Sequence, residues 1–236
     1  MPVAFITGAS QGLGLALAHA LAERGWQLVL DARGAEPLAR AAAGLAGGPH
    51  HAVPGDVTDP AHRADLVATA DTLGGADLLV NNASTLGRSP LPSLADLDSA
   101  TYARILEVNV VAPLALTAAL LPRLRERGGR VVNISSDAGV EAYESWGGYG
   151  SSKAALDHAS RVLAAEEPRI RVYAVDPGDM RTAMHQDAFP GEDIGDRPEP
   201  ATVVPALLAL ISGDRPSGRY RAADIVSPPT GTTVSA

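Results

Sequence analysis

The sequence predicts an α/β fold, with one doubly wound parallel sheet carrying helices on both faces, and three observations support it. Short β-branched runs alternate with longer alanine- and leucine-rich stretches of helical period. A glycine-rich turn joins the first such run to the first helical stretch. No Gly/Ser/Pro-rich linker and no internal repeat divides the 236 residues, a length that one α/β domain can fill. Strand–helix alternation of this kind implies parallel strands joined by right-handed crossovers.

The elements follow in order. The apolar run Val3–Thr7 is the first strand, and Gly12–Arg24 the first helix. Gln27–Asp31 forms the second strand and Glu36–Leu45 the second helix. His51–Pro54 and Asp77–Asn81 are the third and fourth strands, on either side of a helix over Pro60–Leu73. A long helix over Ser99–Arg127 leads into the fifth strand, Arg130–Ile134. The helix Tyr149–Glu166 precedes the sixth strand, Ile170–Val175, and a helix over Ala201–Ile211 precedes a short strand near Arg219–Arg221. Ala183–Pro200, rich in Gly, Pro and acidic residues and without periodicity, is expected to be a long loop and a candidate lid. One domain is expected to span residues 1–226, with the Pro/Thr/Ser tail of residues 227–236 disordered.

Composition narrows the function classes. The chain has no cysteine, which excludes disulfides, thiolate nucleophiles and cysteine metal sites, and fits a reducing compartment. A formal net charge of −8 without any basic run argues against nucleic acid or an acidic membrane surface as partner. The longest apolar run, Val110 to Leu121, is too short to span a bilayer and contains Pro113, and the N-terminus lacks the charged region of a signal peptide. A soluble, cytoplasmic protein is expected. The six histidines show no metal-ligand spacing, so no metal is expected.

Thr7-Gly8-Ala9-Ser10-Gln11-Gly12-Leu13-Gly14 lies between the first strand and the first helix. Glycines here permit a sharp turn and let bare backbone approach a pyrophosphate, which the amides and positive dipole end of the helix then face. Further along, Tyr149-Gly150-Ser151-Ser152-Lys153 sets Tyr and Lys four apart, on one helical face. The chain has eighteen arginines and one lysine, and the lysine is Lys153. A position that keeps lysine against that bias calls for a compact ammonium rather than a planar fork. Beside a phenol, such a charge is expected to lower the tyrosine pKa from about 10 toward the working pH, making Tyr149 a general acid or base. Ser136, at the end of the fifth strand, can donate to a substrate carbonyl from the ligand-facing edge of the sheet.

Together these residues resemble the short-chain dehydrogenase/reductase superfamily, in its compact single-domain branch, over about residues 3–222. The resemblance rests on Thr7-Gly8-x-x-x-Gly12-x-Gly14, Gly55-Asp56-Val57-Thr58, Asn81-Asn82-Ala83-Ser84, Val108-Asn109-Val110, Ser136, Tyr149, Lys153 and Pro177-Gly178-x-x-x-Thr182, all in the expected order. It implies a Rossmann-like sheet of about seven strands in the order 3-2-1-4-5-6-7. It also implies a catalytic set of Asn109, Ser136, Tyr149 and Lys153. Cofactor contacts are expected from Gly8, Ser10, Gln11, Gly12, Leu13, Gly14, Arg33, Asp56, Val57, Asn82, Ala83, Tyr149, Lys153, Pro177, Gly178 and Thr182. Asn81 and Asp56 are expected to serve the cofactor rather than act only as strand-end and turn residues. The implied activity is interconversion of a ketone or aldehyde with an alcohol, by a homodimer or homotetramer acting on a small molecule. Tyr143, Trp146, Met184 and Phe189 are candidate walls of the substrate pocket.

Two departures stand out. Ser84 replaces the usual glycine of the Asn-Asn-Ala-Gly segment, and Ser217-Gly218-Arg219-Tyr220-Arg221 replaces the family's C-terminal Asp-Gly-Gly. The C-terminal replacement is not expected to touch the catalytic set. A nucleotide-sugar epimerase or dehydratase, which shares Tyr-x-x-x-Lys, and a non-catalytic dinucleotide sensor remain the alternatives. For the cofactor, relatives that use NAD place an acid eighteen positions after the last glycine. Here that position is Ala32, and Asp31 falls one short. Strand alternation turns Asp31 away from the ribose and leaves Arg33 for a 2′-phosphate, so NADP(H) is expected over NAD(H).

Overall fold

The computed structural model describes residues 1–225; the expected disordered tail of residues 227–236 lies outside them. Seven parallel strands form one sheet in the order β3-β2-β1-β4-β5-β6-β7. The strands are β1 (Val3–Thr7), β2 (Gln27–Ala32), β3 (His51–Pro54), β4 (Leu78–Asn81), β5 (Arg130–Ile134), β6 (Arg171–Asp176) and β7 (Gly218–Arg221). Helices α1 (Gly12–Ala22), α2 (Ala35–Ala43), α3 (Pro60–Thr72), α4 (Ser99–Leu106), α5 (Ala112–Arg127), α6 (Gly147–Glu166), α7 (Ala183–Ala188), α8 (Val204–Ser212) and α9 (Ala222–Ile225) flank it.

Alternation along the strands builds two cores. Ala4, Ile6, Leu28, Leu30 and Val80 face one side, where α1, α2 and α8 contribute Leu17, Leu38 and Leu207. Val3, Phe5, Val29 and Leu79 face the other side, against Leu66 of α3 and Leu116 and Leu120 of α5. Both faces of the inner strands are therefore buried, which explains why they read as continuous apolar runs.

The structure corrects two expectations here. Residues 183–200 are not wholly irregular, since α7 occupies their first third and a 3₁₀ turn begins at Pro200. The stretch Ser99–Arg127 is helical for 29 residues, long and apolar enough by length and composition to cross a membrane. Its inward face, with Ile105, Ala112, Leu116, Leu120 and Leu124, is packed into the protein core instead. Within it, Glu107–Val111 forms a π-helical turn. The cause is in the sequence: Pro113 has no N–H, so the carbonyl of Asn109 loses its ordinary donor four residues on.

Candidate active site

A cleft of about 1250 Å³ runs along the carboxyl ends of the strands, where ligands bind in open α/β sheets. Most of the expected site residues line it: Gly8, Ser10, Gln11, Gly12, Leu13, Arg33, Asp56, Val57, Asn82, Ala83, Ser136, Tyr149, Lys153, Pro177, Gly178 and Thr182. So do the four expected wall residues, Tyr143, Trp146, Met184 and Phe189. Gly14 and Asn109 lie just behind the lining.

At one end, the β1–α1 turn is closed by side chains from the end of β4. Asn82 Nδ2 donates to the carbonyls of Thr7 (2.9 Å) and Gly8 (3.1 Å), while Thr7 Oγ1 accepts from the amides of Asn82 and Ala83, both at 3.0 Å. A Cβ on Gly14 would stand 2.5 Å from the Gly8 carbonyl oxygen, so only glycine fits. The N-terminus of α1 has no side-chain cap, whereas Asp59 and Asp98 cap α3 and α4. Its first amides are thus left to face the cleft.

In the middle, Ser136, two residues past the end of β5, caps a 3₁₀ turn (Asp137–Gly139) that packs directly on α6. A Cβ on Gly150 would lie 2.4 Å from the Ala138 carbonyl oxygen, so glycine allows the serine turn and the tyrosine helix to meet. Tyr149 is 9% exposed, with Trp146 edge-on at 5.7 Å between ring centroids. Lys153, 2% exposed, donates from Nζ to the Ile134 carbonyl at 2.7 Å and lies 5.4 Å from the Tyr149 ring centroid. Asn109 is 1% exposed and fully bonded. Its Oδ1 accepts from Thr85 N (2.8 Å) and Ser84 Oγ (3.1 Å), and its Nδ2 donates to Thr85 O (2.9 Å) and Ser152 Oγ (3.0 Å).

The expected lowering of the tyrosine pKa does not occur in this arrangement. Burial pushes the Tyr149 phenol above its ordinary value, and the hydroxyls of Ser136 and Ser84 only partly oppose that. Burial also pulls the Lys153 ammonium down to about 8, against the pull of Asp157. For both groups, removal from water is the largest influence.

Asn81 is also corrected. It shares the parity of Leu79, so its side chain points under the sheet, where Nδ2 donates to Thr117 Oγ1 (3.1 Å) and Asn133 Oδ1 (2.7 Å). Asp56 lines the cleft, but its carboxylate is engaged by Thr58 N (2.9 Å), Thr58 Oγ1 (2.7 Å) and Arg104 (2.7 Å). Against the upward push of partial burial, these bonds bring its pKa down to about 2.

Two contacts had no signal in the sequence. Asp31, on the Val29 side of β2, meets His62 of α3 at 2.6 Å, both buried. Arg219 of β7 donates to the Ser136 carbonyl at 3.0 Å, so the C-terminal departure does reach a residue of the expected catalytic set. Partners so far apart in sequence have no periodicity to announce them. The Ser84 substitution also touches that set, through Asn109.

The short chain dehydrogenase family model matches residues 2–193. Dehydrogenase/reductase SDR family member 4 from Bos taurus is 38% identical over 190 residues, covering 77% of this chain and 67% of that protein. Sepiapterin reductase from Xenopus tropicalis is 36% identical, covering 76% of this chain and 74% of that protein. An alcohol dehydrogenase from the archaeon Thermococcus sibiricus, solved with 5-hydroxy-NADP, superposes with a TM-score of 0.82 at 27% identity, covering 94% of this chain and 95% of that one. With the sheet order, the glycine turn and the Ser136–Tyr149–Lys153 cluster, these likenesses establish that the chain belongs to the short-chain dehydrogenase/reductase superfamily of oxidoreductases, which bind nicotinamide dinucleotides.

Proposed function

We propose that this protein is an NADP(H)-dependent oxidoreductase that interconverts a ketone or aldehyde with the corresponding alcohol. The observation that carries this reading is the convergence of the Ser136 and Tyr149 side chains and the Lys153 ammonium in one cleft, with the uncapped α1 N-terminus and Arg33 toward its other end. The nicotinamide, when bound, supplies or accepts the hydride.

The chain's own residues fit that cofactor. The amides of the Gly8-to-Gly14 turn, including Ser10, Gln11, Gly12 and Leu13, would receive the pyrophosphate. Asp56 and Val57 would flank the adenine, and Asn82 and Ala83 would support the turn and the adjoining ribose. Lys153 and Tyr149 would hold the nicotinamide ribose, and Pro177, Gly178 and Thr182 the carboxamide.

Ser136 would donate a hydrogen bond to the substrate carbonyl, and Tyr149 would pass its proton to the oxygen as it becomes an alkoxide. A phenol held protonated by burial is in the form that this acid role requires at neutral pH, and the same group would take the proton back in the reverse reaction. Asn109 would steady the segment after β4 and the Tyr149 helix, through its bonds to Thr85 and Ser152.

Preference for NADP(H) rests on charge at the β2 end. Asp31 lines the cleft too, but its carboxylate is buried and bound by His62, while Arg33 is exposed and has no ion-pair partner among the described residues. A guanidinium there suits a 2′-phosphate, and the Thermococcus relative was solved with an NADP derivative. The lack of cysteine and the charge of −8 support a reducing, cytoplasmic setting and a small-molecule substrate. Titration with NADPH and NADH, followed by consumption assays over a panel of carbonyl compounds, tests the proposal. Tighter NADPH binding and carbonyl-dependent oxidation are expected; a preference for NADH would restore Asp31 as the ribose reader.

A further inference from the structure

We propose that Arg219 is a positioning residue of the catalytic centre, a brace that holds Ser136 by its backbone and balances the carboxylates beneath Lys153. The inference rests on the reading of Ser136, Tyr149 and Lys153 as the reacting groups.

Arg219 comes from β7, at the point where the sequence departs from the family's usual C-terminal pattern. Its guanidinium reaches three elements at once. Nε donates to Asp157 Oδ2 at 2.7 Å, a terminal nitrogen donates to the Ser136 carbonyl at 3.0 Å, and the same nitrogen lies 3.6 Å from Asp176 Oδ2. Ser136 lies two residues past β5. Asp157 sits one helical turn after Lys153 on α6. Asp176 ends β6, and its Oδ1 accepts from the amide of Gly178 at 3.0 Å. One planar fork thus ties together the strand ends and the helix that carry the site, a geometry that lysine cannot reproduce.

The charges make the same point. Asp157 and Asp176 are 5% and 3% exposed, and Oδ1 of Asp157 is buried with no hydrogen-bond partner among the described residues. The groups that face the phenol and the ammonium are Asp137 after β5, Asp176 on β6, Asp157 on α6, and the hydroxyls of Ser84 and Ser136. Arg221, further along β7, also acts on Asp176. Without Arg219, two buried carboxylates would stand beside Lys153 and Tyr149 largely uncompensated. Both would then hold their protons more tightly. Asp157 without its charge would have the opposite effect.

The test is the pH dependence of carbonyl reduction for Arg219→Met, Arg219→Lys, Asp157→Asn and the double variant Arg219→Met/Asp157→Asn, with NADPH affinity and melting temperature measured alongside. Arg219→Met should move the alkaline limb up by about one pH unit and lower kcat more than it changes KM. Asp157→Asn should move the limb down, and the double variant should return it to the wild-type position. Arg219→Lys should keep the limb but lose turnover, because an ammonium cannot hold both Asp157 and the Ser136 carbonyl. NADPH affinity should stay within about threefold throughout, since none of these groups is placed on the cofactor. Folded variants with wild-type limbs and turnover would make Arg219 a purely structural residue and overturn the proposal. Where Arg219→Met does not fold, a wild-type kcat for Arg219→Lys together with an unmoved limb for Asp157→Asn overturns it equally. Failure of the underlying reading would show separately, as turnover retained by Tyr149→Phe in the same assay.

Discussion

At the end of the cleft built by β4, β5 and α6, the Asn109, Ser136 and Lys153 side chains are each fixed by at least one hydrogen bond, within a polar layer that is largely buried. At the end built by β2 and β3, Arg33 is exposed, Asp56 is spent on Thr58 and Arg104, and Asp31 is tied to His62. The first region is over-determined: several elements agree on where each group sits. On the proposed reading the second relies on Arg33, which has no ion-pair partner among the described residues. On that reading, reaction type belongs to the first end, and choice of cofactor to the end that a single substitution can change.

The largest effect should come from the first end. Tyr149→Phe removes the transferable proton while leaving the ring and its Trp146 contact in place. Turnover should fall by about 10²–10⁴, with NADPH affinity nearly unchanged; steady-state kinetics beside fluorescence titration would show it. Retained turnover would break the contrast by removing chemistry from this region.

The adenosine end should give a smaller and more selective effect. Arg33→Ala is expected to weaken NADPH binding by about 1.5–3 kcal/mol, the range for a charged hydrogen bond, and to leave NADH binding unaltered. Equal losses for both cofactors would mean that Arg33 serves the general fold of the cleft.

A third experiment asks what the buried ammonium costs in stability. With Lys153 at about 8 in the folded protein and 10.5 as its ordinary value, the unfolded chain binds more protons between those limits. Stability should therefore rise as pH rises through that window. Lys153→Met should stabilise the protein near pH 7 by ~1–3 kcal/mol, after the lost bond to the Ile134 carbonyl is discounted, and should flatten that rise. Denaturant titrations between pH 7 and 10 suffice, since the raised Tyr149 pKa acts with the opposite sign only above its ordinary value of 10.0. A less stable variant with an unchanged slope would mean that the ammonium is not penalised by burial.

The smallest effect concerns residues 183–200. Phe189 packs against Trp146 at 5.9 Å and His185 at 4.9 Å, so the segment is partly anchored. Slower hydrogen exchange across Met184–Ile194 on adding NADPH is expected of a lid. Unchanged exchange would make it a fixed wall.

The same contrast explains what the sequence made legible. Strands β1 and β5 fall at their expected boundaries because an inner parallel strand buried on both faces leaves a largely apolar run. The motif residues were legible because their spacing along single elements is fixed, as with Tyr149 and Lys153 on α6. Helix α7 was not, since six residues carry too little periodicity. The π-turn at Asn109 had a readable cause in Pro113, but its geometry needed the packed helix. Asn81 was misread because its parity on β4 sends it below the sheet, a point that register decides and composition does not. The Tyr149 pKa was expected to fall because charge was considered without burial. Asp31–His62 and Ser136–Arg219 join residues 31 and 83 positions apart, and only the assembled sheet brings them together.

The most direct test of the central claim is deuterium transfer from 4-deuterated NADPH to the carbinol carbon of the product, followed by mass spectrometry for wild type and for Tyr149→Phe at saturating cofactor. The account predicts label at that carbon with the wild type, a rate lower by about 10²–10⁴ with the variant, and poor transfer from labelled NADH at the same concentration. Label transferred equally fast by both proteins would contradict it.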